Sequence, residues 1–211
     1  MKGCVVCNGD IRDYEHAKEQ ILECELVIAA DGGANHLRAM GLIPNVLIGD
    51  MDSLRTPSWP EKEKIEQLCF PQEKDKSDAE LAVELAFERG CDFVSLIGAT
   101  GGRLDHMLGN VSLLAKFPGR IACVDGEETL VAVDSSEKCV LQGQPRAIVS
   151  LIPFPLAKQV TTTGLRYSLM KQDLLPGTKG ISNFLEQSKG CVCVNGGLLL
   201  VYVNSKGVAN D

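Results

Sequence analysis

The strongest constraint on the fold is a regular alternation of short apolar runs with amphipathic segments, which extends to about residue 125. The apolar runs indicate buried strands, and apolar residues three or four positions apart indicate helices. Strands that alternate with helices predict a parallel sheet with helices on both faces. The predicted strands are residues 3–7, 26–30, 46–48, 67–70, 93–97 and 121–124, and the predicted helices are residues 14–24, 60–66, 78–89, 104–117 and a short one through Met40.

The sequence beyond Gly126 has a different character, because short runs rich in β-branched residues replace the helical patterns. Asn195-Gly196-Gly197 lies between two apolar runs, which is a strong hairpin signal. An antiparallel β-domain is expected here, either a small sandwich or a barrel, so the predicted domains are residues 1–125 and 126–211. The predicted strands are residues 129–133, 138–141, 146–153, 158–163, 191–195 and 198–203.

The composition of the 211-residue chain argues against several classes of protein. A net charge of −7 argues against a nucleic-acid binder, which normally presents a basic face. No apolar run approaches the roughly 20 residues of a membrane span, and no signal-peptide layout is found, so a cytoplasmic location is expected. The nine cysteines are expected to be reduced thiols, because Cys4, Cys7 and others lie within apolar runs that read as strands.

Acidic residues and glycines gather on the loops that follow four predicted strands. Because the carboxyl ends of parallel strands meet at one edge of a sheet, these loops are expected to form one site. This convergence is a stronger signal than any single loop. The loops contain Asp31-Gly32-Gly33, Gly49-Asp50-Met51-Asp52, Lys74-Asp75-Lys76-Ser77-Asp78 and residues 98–106.

Each loop carries a residue type that polyphosphate chemistry needs. Two carboxylates as close as Asp50 and Asp52 repel each other unless a cation lies between them, and Mg²⁺ suits them and Asp78. Glycines such as Gly101 let backbone N–H groups approach phosphate oxygens before a helix, and Arg103 can neutralise charge on the transferring group. These residues predict an Mg²⁺-dependent enzyme that acts on a nucleotide or another polyphosphate.

Ordinary structural roles stay open for several of these residues. Asp31 could simply take a sharp turn, Ser77 could be a plain helix N-cap, and Asp78 could be an acid favoured by the helix dipole. Asp105 or His106 could orient phosphates or a nucleophile, although a histidine at a helix start is more often a surface residue. The sequence contains neither a P-loop nor a dinucleotide Gly-x-Gly-x-x-Gly motif.

Six motifs in a fixed order carry a resemblance to a known family. They are Ala30-Asp31-Gly32-Gly33-Ala34-Asn35, Ile48-Gly49-Asp50-Met51-Asp52-Ser53, Lys74-Asp75-Lys76-Ser77-Asp78, Gly101-Gly102-Arg103-Leu104-Asp105-His106, Thr163-Gly164-Leu165-Arg166-Tyr167-Ser168-Leu169 and Gly180-Ile181-Ser182-Asn183. Together they resemble the motifs of the thiamine pyrophosphokinases, from Asn8 to about Val203. Two departures are Ser77, where members often carry Thr, and Phe184, near which some members place a Trp.

The resemblance implies an N-terminal Rossmann-like α/β nucleotide domain, a C-terminal antiparallel β-sandwich and a homodimer with the active site at the subunit interface. It implies Mg²⁺-dependent transfer of the pyrophosphoryl group of ATP, the co-substrate, to the hydroxyl of thiamine, which gives thiamine pyrophosphate and AMP. The implied catalytic residues are Asp50, Asp52, Asp78, Arg103 and Asp105, of which Asp50, Asp52 and Asp78 hold the metal. The implied ATP-site residues are Asp31, Gly32, Lys74, Ser77, Thr100, Gly101 and Gly102, and the implied thiamine-site residues are Ser182 and Asn183.

Two other functions stay open. An ordinary kinase would transfer only the γ-phosphoryl group and release ADP. A catalytically silent sensor of nucleotide or thiamine would be expected to lack some of the acids, yet Asp50, Asp52, Asp78 and Asp105 are all present.

Overall fold

The computed structural model describes residues 1–50, 65–71, 73 and 75–206, and the chain divides into two compact units. The first unit holds Met1–Leu113 with Cys123–Gly126, and the second holds Leu114–Ala122 and the chain from Glu127 onward. No helix in the described part of the chain is long and apolar enough to cross a membrane.

The first unit is an α/β structure with parallel strands, as predicted. The elements up to Asp125, the last two of which lie partly in the second unit, are β1 (Lys2–Val6), α1 (Tyr14–Leu22), β2 (Leu26–Ala30), α2 (Gly33–Ala39), β3 (Val46–Gly49), β4 (Glu66–Cys69), α3 (Asp78–Glu88), β5 (Phe93–Ile97), α4 (Leu104–Lys116) and β6 (Ile121–Asp125). The strand order is β4-β3-β2-β1-β5-β6, and the pairs β1–β2, β1–β5, β2–β3 and β3–β4 are parallel. Most of the predicted helix at 60–66 lies outside the described residues, and its last residue, Glu66, begins β4 instead.

Strands β1, β2, β3 and β5 are buried on both faces, whereas the edge strand β4 is largely exposed. Cys4 and Val6 of β1 belong to an apolar cluster that also holds the buried side chains of α1 and α2. Val5 points to the opposite face, because neighbouring residues of a strand alternate in direction, and it is also 0% exposed. The helix α3 contacts β1, β2, β3 and β5. The near-continuous apolar runs of these strands follow from burial on both faces.

Two helices of the first unit begin at a side-chain cap. The carboxylate of Asp13 accepts a hydrogen bond from the backbone N–H of His16 at 3.0 Å, and α1 follows directly. The hydroxyl oxygen of Ser77 accepts one from the N–H of Glu80 at 3.2 Å at the start of α3. Such caps satisfy N–H groups that have no partner inside a helix. Ser77 therefore has the structural role that the sequence left open.

From Glu127 onward the described residues form antiparallel strands and no helix, as predicted. The strands are β7 (Glu128–Val133), β8 (Cys139–Gln142), β9 (Ile148–Thr163), β10 (Gln172–Leu174), β11 (Asn183–Phe184), β12 (Lys189–Cys193) and β13 (Gly196–Asn204). Their order is β7-β13-β9-β12-β8, and β10 and β11 pair with β9 as well. One apolar cluster fills this unit, with Leu151, Leu165, Leu174 and Leu185 at most 1% exposed.

The strand β9 corrects one prediction, because residues 146–153 and 158–163 were expected to be two strands. Apart from residues 146 and 147, they belong to one strand of 16 residues. Pro153 and Pro155 suggested a break, since proline has no N–H to donate to a sheet. The register of β13 shifts between Gly197 and Leu199, which lie opposite this part of β9. Such an irregularity accommodates proline within a strand.

The predicted hairpin between β12 and β13 is wrong. The register of β12 on β9, with Cys193 opposite Thr161, continues without a shift into β13, where Gly196 lies opposite Lys158. Between them the N–H of Asn195 donates to the carbonyl of Lys158 at 3.1 Å. The chain therefore continues along β9 instead of turning back, because the length of β9 offers backbone partners to both segments.

All nine cysteines are free thiols. Burial raises the pKa of Cys7 to about 12 and that of Cys123 to about 12. Both thiols therefore stay protonated at neutral pH, where only a thiolate would be a good nucleophile or metal ligand. Cys4 and Cys7, which have the C-x-x-C spacing, are thus both buried core residues.

Candidate active site

The loops that follow β1 to β5 lie at one edge of the first sheet, and the sequence predicted this for the loops after β2 to β5. The N–H of Gly9, after β1, donates to the carbonyl of Gly98, after β5, at 2.9 Å. The N–H of Asp31, after β2, donates to the carbonyl of Ile48 in β3 at 2.7 Å. The N–H of Phe70, after β4, donates to the carbonyl of Gly49 at 3.1 Å. These backbone bonds bring together side chains that are far apart in sequence.

The glycines of this edge act mainly by letting loops touch one another. A Cβ on Gly33 would lie 1.9 Å from the carbonyl oxygen of Val6, and one on Gly9 would lie 2.5 Å from the carbonyl oxygens of Gly98 and Gly101. The sequence predicted that glycines free the backbone to approach a ligand. In the structure most of that space is occupied by neighbouring backbone, so these glycines set how tightly the loops pack.

Asp31 lies in a sharp turn, and one of its carboxylate oxygens has no hydrogen-bond partner among the described residues. Its φ is 48°, and its carbonyl accepts a hydrogen bond from the N–H of Ala34 at 3.2 Å. The atom Oδ1 is buried and has no hydrogen-bond partner among the described residues. A buried oxygen without a partner is costly, and a cation or a ligand donor would remove that cost. The structure therefore shows the turn, and the ligand role of Asp31 stays a prediction.

Two further predicted acids of this edge lie at the carboxyl end of β3 and at the start of α3. Asp50 follows β3 and is half-buried, and Asp78 is the half-buried first residue of α3. Within residues 1–50, 65–71, 73 and 75–206, no group of three or more His, Cys, Asp or Glu side chains could hold a metal ion. Asp52 and Lys74 lie outside the described residues.

Arg103 and Asp105 form an exposed ion pair just before and within the first turn of α4. The guanidinium donates two hydrogen bonds to the carboxylate, from Nε at 3.1 Å and from Nη2 at 2.6 Å. The hydrogen bond from Arg103 holds the pKa of the Asp105 carboxyl at about 2. The predicted phosphate-binding arginine is thus oriented by an acid of the same motif.

Replacing Arg103 with Ala is expected to raise the pKa of Asp105 from about 2 towards the ordinary aspartate value of about 4. The carboxylate loses its donors, so its charged form is no longer favoured. A carbon-13 NMR titration of the carboxyl groups measures the shift. Arg89→Ala is the control, because Arg89 pairs with Glu66 and should leave Asp105 unchanged. An unchanged Asp105 pKa in Arg103→Ala would contradict the pairing.

The sequence analysis missed Asn110, which supports the loop after β5. Asn110 lies on α4, is 8% exposed, and its Nδ2 donates to the carbonyl of Ala99 at 2.8 Å. A buried amide must find hydrogen-bond partners, so a polar residue on the inner face of α4 was the available signal. The sequence analysis also assigned no site role to the turn of Asn8, Gly9 and Asp10 after β1.

The two predicted thiamine-site residues lie in the second unit. Asn183 is 4% exposed, and its Oδ1 accepts from the N–H groups of Tyr167 at 3.0 Å and Phe184 at 2.9 Å, while its Nδ2 donates to the carbonyl of Tyr167 at 2.8 Å. Its amide therefore holds the segment around Tyr167. Ser182 is exposed with a φ of 59°, and its N–H donates to the hydroxyl of Ser150 at 3.1 Å.

Comparison with known families matches both units. The family model described as "Thiamin pyrophosphokinase, catalytic domain" matches residues 17–124. The model described as "Thiamin pyrophosphokinase, vitamin B1 binding domain" matches residues 135–199. The two matches follow the same division into an α/β part and an antiparallel part.

Individual relatives agree with the family models. A thiamine pyrophosphokinase of Bacillus subtilis (strain 168) is 32% identical over 189 residues, which are 85% of this chain and 87% of that protein. The crystal structure of thiamine pyrophosphokinase from Bacillus subtilis superposes with a TM-score of 0.81 at 27% identity, over 99% of this chain and 100% of that one. That of thiamin pyrophosphokinase from Geobacillus thermodenitrificans gives 0.78 at 29% identity, over 98% of each. By its motifs, its two matched domains and these relatives, this chain belongs to the thiamine pyrophosphokinase family.

Proposed function

We propose that this chain transfers the pyrophosphoryl group of ATP to the hydroxyl of thiamine at the loop edge of its first sheet. The family makes it a thiamine diphosphotransferase that uses ATP as co-substrate. The observation that carries the choice of site is the backbone hydrogen bonding at this edge, which joins Gly9 after β1 to Gly98 after β5, and Asp31 after β2 to Ile48 in β3. Acids and glycines from separate segments of the sequence therefore share one edge, where open parallel sheets bind ligands.

Mg²⁺ is the cation that suits the donors of this edge. Asp31, Asp50 and Asp78 offer carboxylate oxygens, and Asp31 Oδ1 is buried without a hydrogen bond in the described part of the chain. Mg²⁺ uses one or two protein carboxylates, while substrate phosphates and water complete its shell. A cluster of three protein ligands is therefore not required. We assign Asp50, Asp52 and Asp78 to hold one or two such ions, which would neutralise phosphate charge when bound.

The chain's own residues bind and orient the triphosphate. Arg103 can exchange Asp105 for a phosphate oxygen at low cost, because an exposed ion pair contributes little to stability. Asp105 keeps the guanidinium in place until the phosphate arrives. The other residues assigned to the ATP site are Asp31, Gly32, Lys74, Ser77, Thr100, Gly101 and Gly102.

The reaction needs positioning and charge neutralisation more than covalent catalysis. The thiamine hydroxyl oxygen forms a bond to the β-phosphorus of ATP. The bond from that phosphorus to the oxygen shared with the α-phosphate breaks, and AMP leaves with that oxygen. The hydroxyl proton needs only a weak base, and a carboxylate of this edge can accept it.

We propose that the second unit is a small β-sandwich that binds thiamine, within functional domains at residues 1–125 and 126–211. The strand β9 supports this, because most of its length pairs with β13 and its last residues pair with β12, which in turn pairs with β8. Strands that pass from one sheet to another form the corners of sandwiches. Ser182 and Asn183 are assigned beside thiamine, with Asn183 holding the segment around Tyr167.

We also propose a homodimer with the active site at the subunit interface. The second unit exposes large apolar side chains, which a second copy could cover. Sedimentation equilibrium would test this, and a monomer at micromolar concentration would contradict it. The exposed residues include Tyr167, Met170, Leu175 and Ile181, with 65%, 86%, 65% and 47% of their surface accessible.

Incubation of the purified protein with ATP, Mg²⁺ and thiamine is expected to yield AMP and thiamine pyrophosphate in equal amounts. Chromatography separates the nucleotides and the thiamine phosphates. Addition of a chelator should stop the reaction, because phosphate charge would no longer be neutralised.

The same assay separates the alternatives. ADP with thiamine monophosphate would indicate transfer of only the γ-phosphoryl group. Tight thiamine binding without turnover would indicate a sensor. Undiminished turnover in chelator would contradict the proposed metal site.

A further inference from the structure

The turn after β1 lies between two loops of the proposed ATP site. This β1 turn consists of Asn8, Gly9 and Asp10. The side chain of Asn8 occupies the space beside Gly32, since a Cβ on Gly32 would lie 2.3 Å from its Cγ. A Cβ on Gly101 would lie 2.7 Å from the backbone nitrogen of Asp10. The β1 turn therefore touches both the loop after β2 and the loop after β5.

The β1 turn lies where the order of the strands in the sheet reverses. Strands β1 to β4 extend in one direction along the sheet, and β5 lies on the other side of β1. The order reverses between β1 and β5, and ligands of open parallel sheets bind in the crevice at such a reversal. The loops after β1 and β5 border this crevice. Asn8 and Asp10 are exposed there, and the family match begins only at residue 17.

Two aromatic residues from different helices hold the β1 turn. The hydroxyl of Tyr14, on α1, is 2.6 Å from Nδ1 of His36, on α2, and the two ring centroids are 5.7 Å apart. The backbone of Gly9 and the charge of Asp10, both in the β1 turn, favour the protonated form of His36. Tyr14 is the first residue of α1, so its contact with His36 joins the segment that leaves the β1 turn to α2.

Burial lowers the pKa of His36, although the Gly9 backbone and the charge of Asp10 favour its protonated form. A neutral imidazole has one donor and one acceptor nitrogen. In a neutral imidazole, Nδ1 can accept the proton of the Tyr14 hydroxyl, which lies 2.6 Å away. This hydrogen bond restricts the orientation of the ring.

We propose that the Tyr14–His36 hydrogen bond fixes the β1 turn as a wall of the ATP site, which makes Tyr14 and His36 positioning residues for ATP. The inference rests on the proposed function, because it takes the loop edge as the place where ATP binds. It adds a segment that none of the six motifs includes. The loss of this hydrogen bond weakens the binding of ATP and leaves the binding of thiamine unchanged.

The test measures ATP and thiamine separately in the full-length protein. Tyr14→Phe removes only the hydroxyl, and His36→Ala removes the whole link. Both are expected to raise KM for ATP, and the dissociation constant of ATP in equilibrium dialysis, by about three- to tenfold, the effect of one lost hydrogen bond. KM for thiamine should change by less than about twofold. His36→Gln, which keeps an amide donor, should recover part of the ATP affinity.

Two matched substitutions serve as controls. Tyr202→Phe removes a tyrosine hydroxyl from β13, and His16→Ala removes a histidine that bonds Gln20 on α1. Both should leave KM for ATP within about twofold. Unchanged ATP binding in Tyr14→Phe and His36→Ala would overturn the inference, as would equal increases of KM for ATP and thiamine.

The dialysis measurement separates this inference from the proposed function. Wild-type protein that binds ATP but forms no AMP with thiamine would refute the proposed reaction. Weaker ATP binding in Tyr14→Phe would then still support the β1 turn as part of the ATP site. Wild-type protein that binds no ATP would overturn both.

Discussion

Replacing Asp78 with Asn is expected to lower turnover by about a hundredfold or more and to leave the fold intact. The amide has the same shape as the carboxylate but lacks its charge, so it binds Mg²⁺ poorly and no longer balances the charge of the metal–phosphate complex. Loss of one preorganised charge interaction in an active site typically costs a factor of this size. Asp78 is also the first residue of α3, and losing an acid from a first turn destabilises a helix by only about 0.3–1 kcal/mol.

The measurement is kcat at saturating ATP and thiamine over a series of Mg²⁺ concentrations, with circular dichroism as the check on folding. Glu88→Gln is the matched control, because it removes a carboxylate charge from the last turn of the same helix, where no ligand role is proposed. Its turnover should stay within about twofold of wild type. Near-normal turnover of Asp78→Asn would refute the metal role of this residue.

Replacing Gly33 with Ala is expected to destabilise the protein by about 3 kcal/mol or more. The added Cβ would lie 1.9 Å from the carbonyl oxygen of Val6 and 2.6 Å from its carbonyl carbon. The obstacle is backbone in the centre of the sheet, so β1 or α2 must move as a whole. Inserting one methyl group into a packed interior often costs 1–3 kcal/mol, and a clash with fixed backbone lies at the upper end. The midpoint of urea unfolding measures the loss.

Gly109→Ala provides the comparison for this substitution. Gly109 lies within α4, and a Cβ there would meet no atom within 4 Å. Alanine is favoured over glycine in a helix by up to about 1 kcal/mol, so this variant should be as stable as wild type or more stable. Equal stability of the two alanine variants would show that the contact between α2 and β1 is looser than described.

The arrangement of the first unit follows from local sequence patterns. Residues 26–30 and 93–97 are apolar runs bounded by loop residues, and the structure has strands with the same bounds. Burial on both faces makes such runs continuous and easy to recognise. The second unit was harder to predict, because the choice between a hairpin and a continuing strand at Asn195 depends on β9, which lies more than 30 residues earlier in the sequence.

The acids at this edge of the sheet could be predicted from the sequence, whereas the contacts between its residues could not. Asp31, Asp50 and Asp78 were identified because acids at strand ends form a local pattern. The close approach of Gly33 to Val6 and the link between Tyr14 and His36 depend on which strands and helices are neighbours in space. A sequence pattern does not contain that information. The role of Asn183 in holding Tyr167 was likewise beyond it.

The central place of β9 has a consequence for biosynthesis. Its partners β10, β11, β12 and β13 all follow it in the chain, and the last of them ends at Asn204. A nascent chain that has reached Thr163 therefore carries a long apolar strand with no partner yet translated. Pairings between distant segments form slowly, and an unpaired strand invites association with other chains. The second unit is thus the part of this enzyme that most needs protection while it emerges from the ribosome.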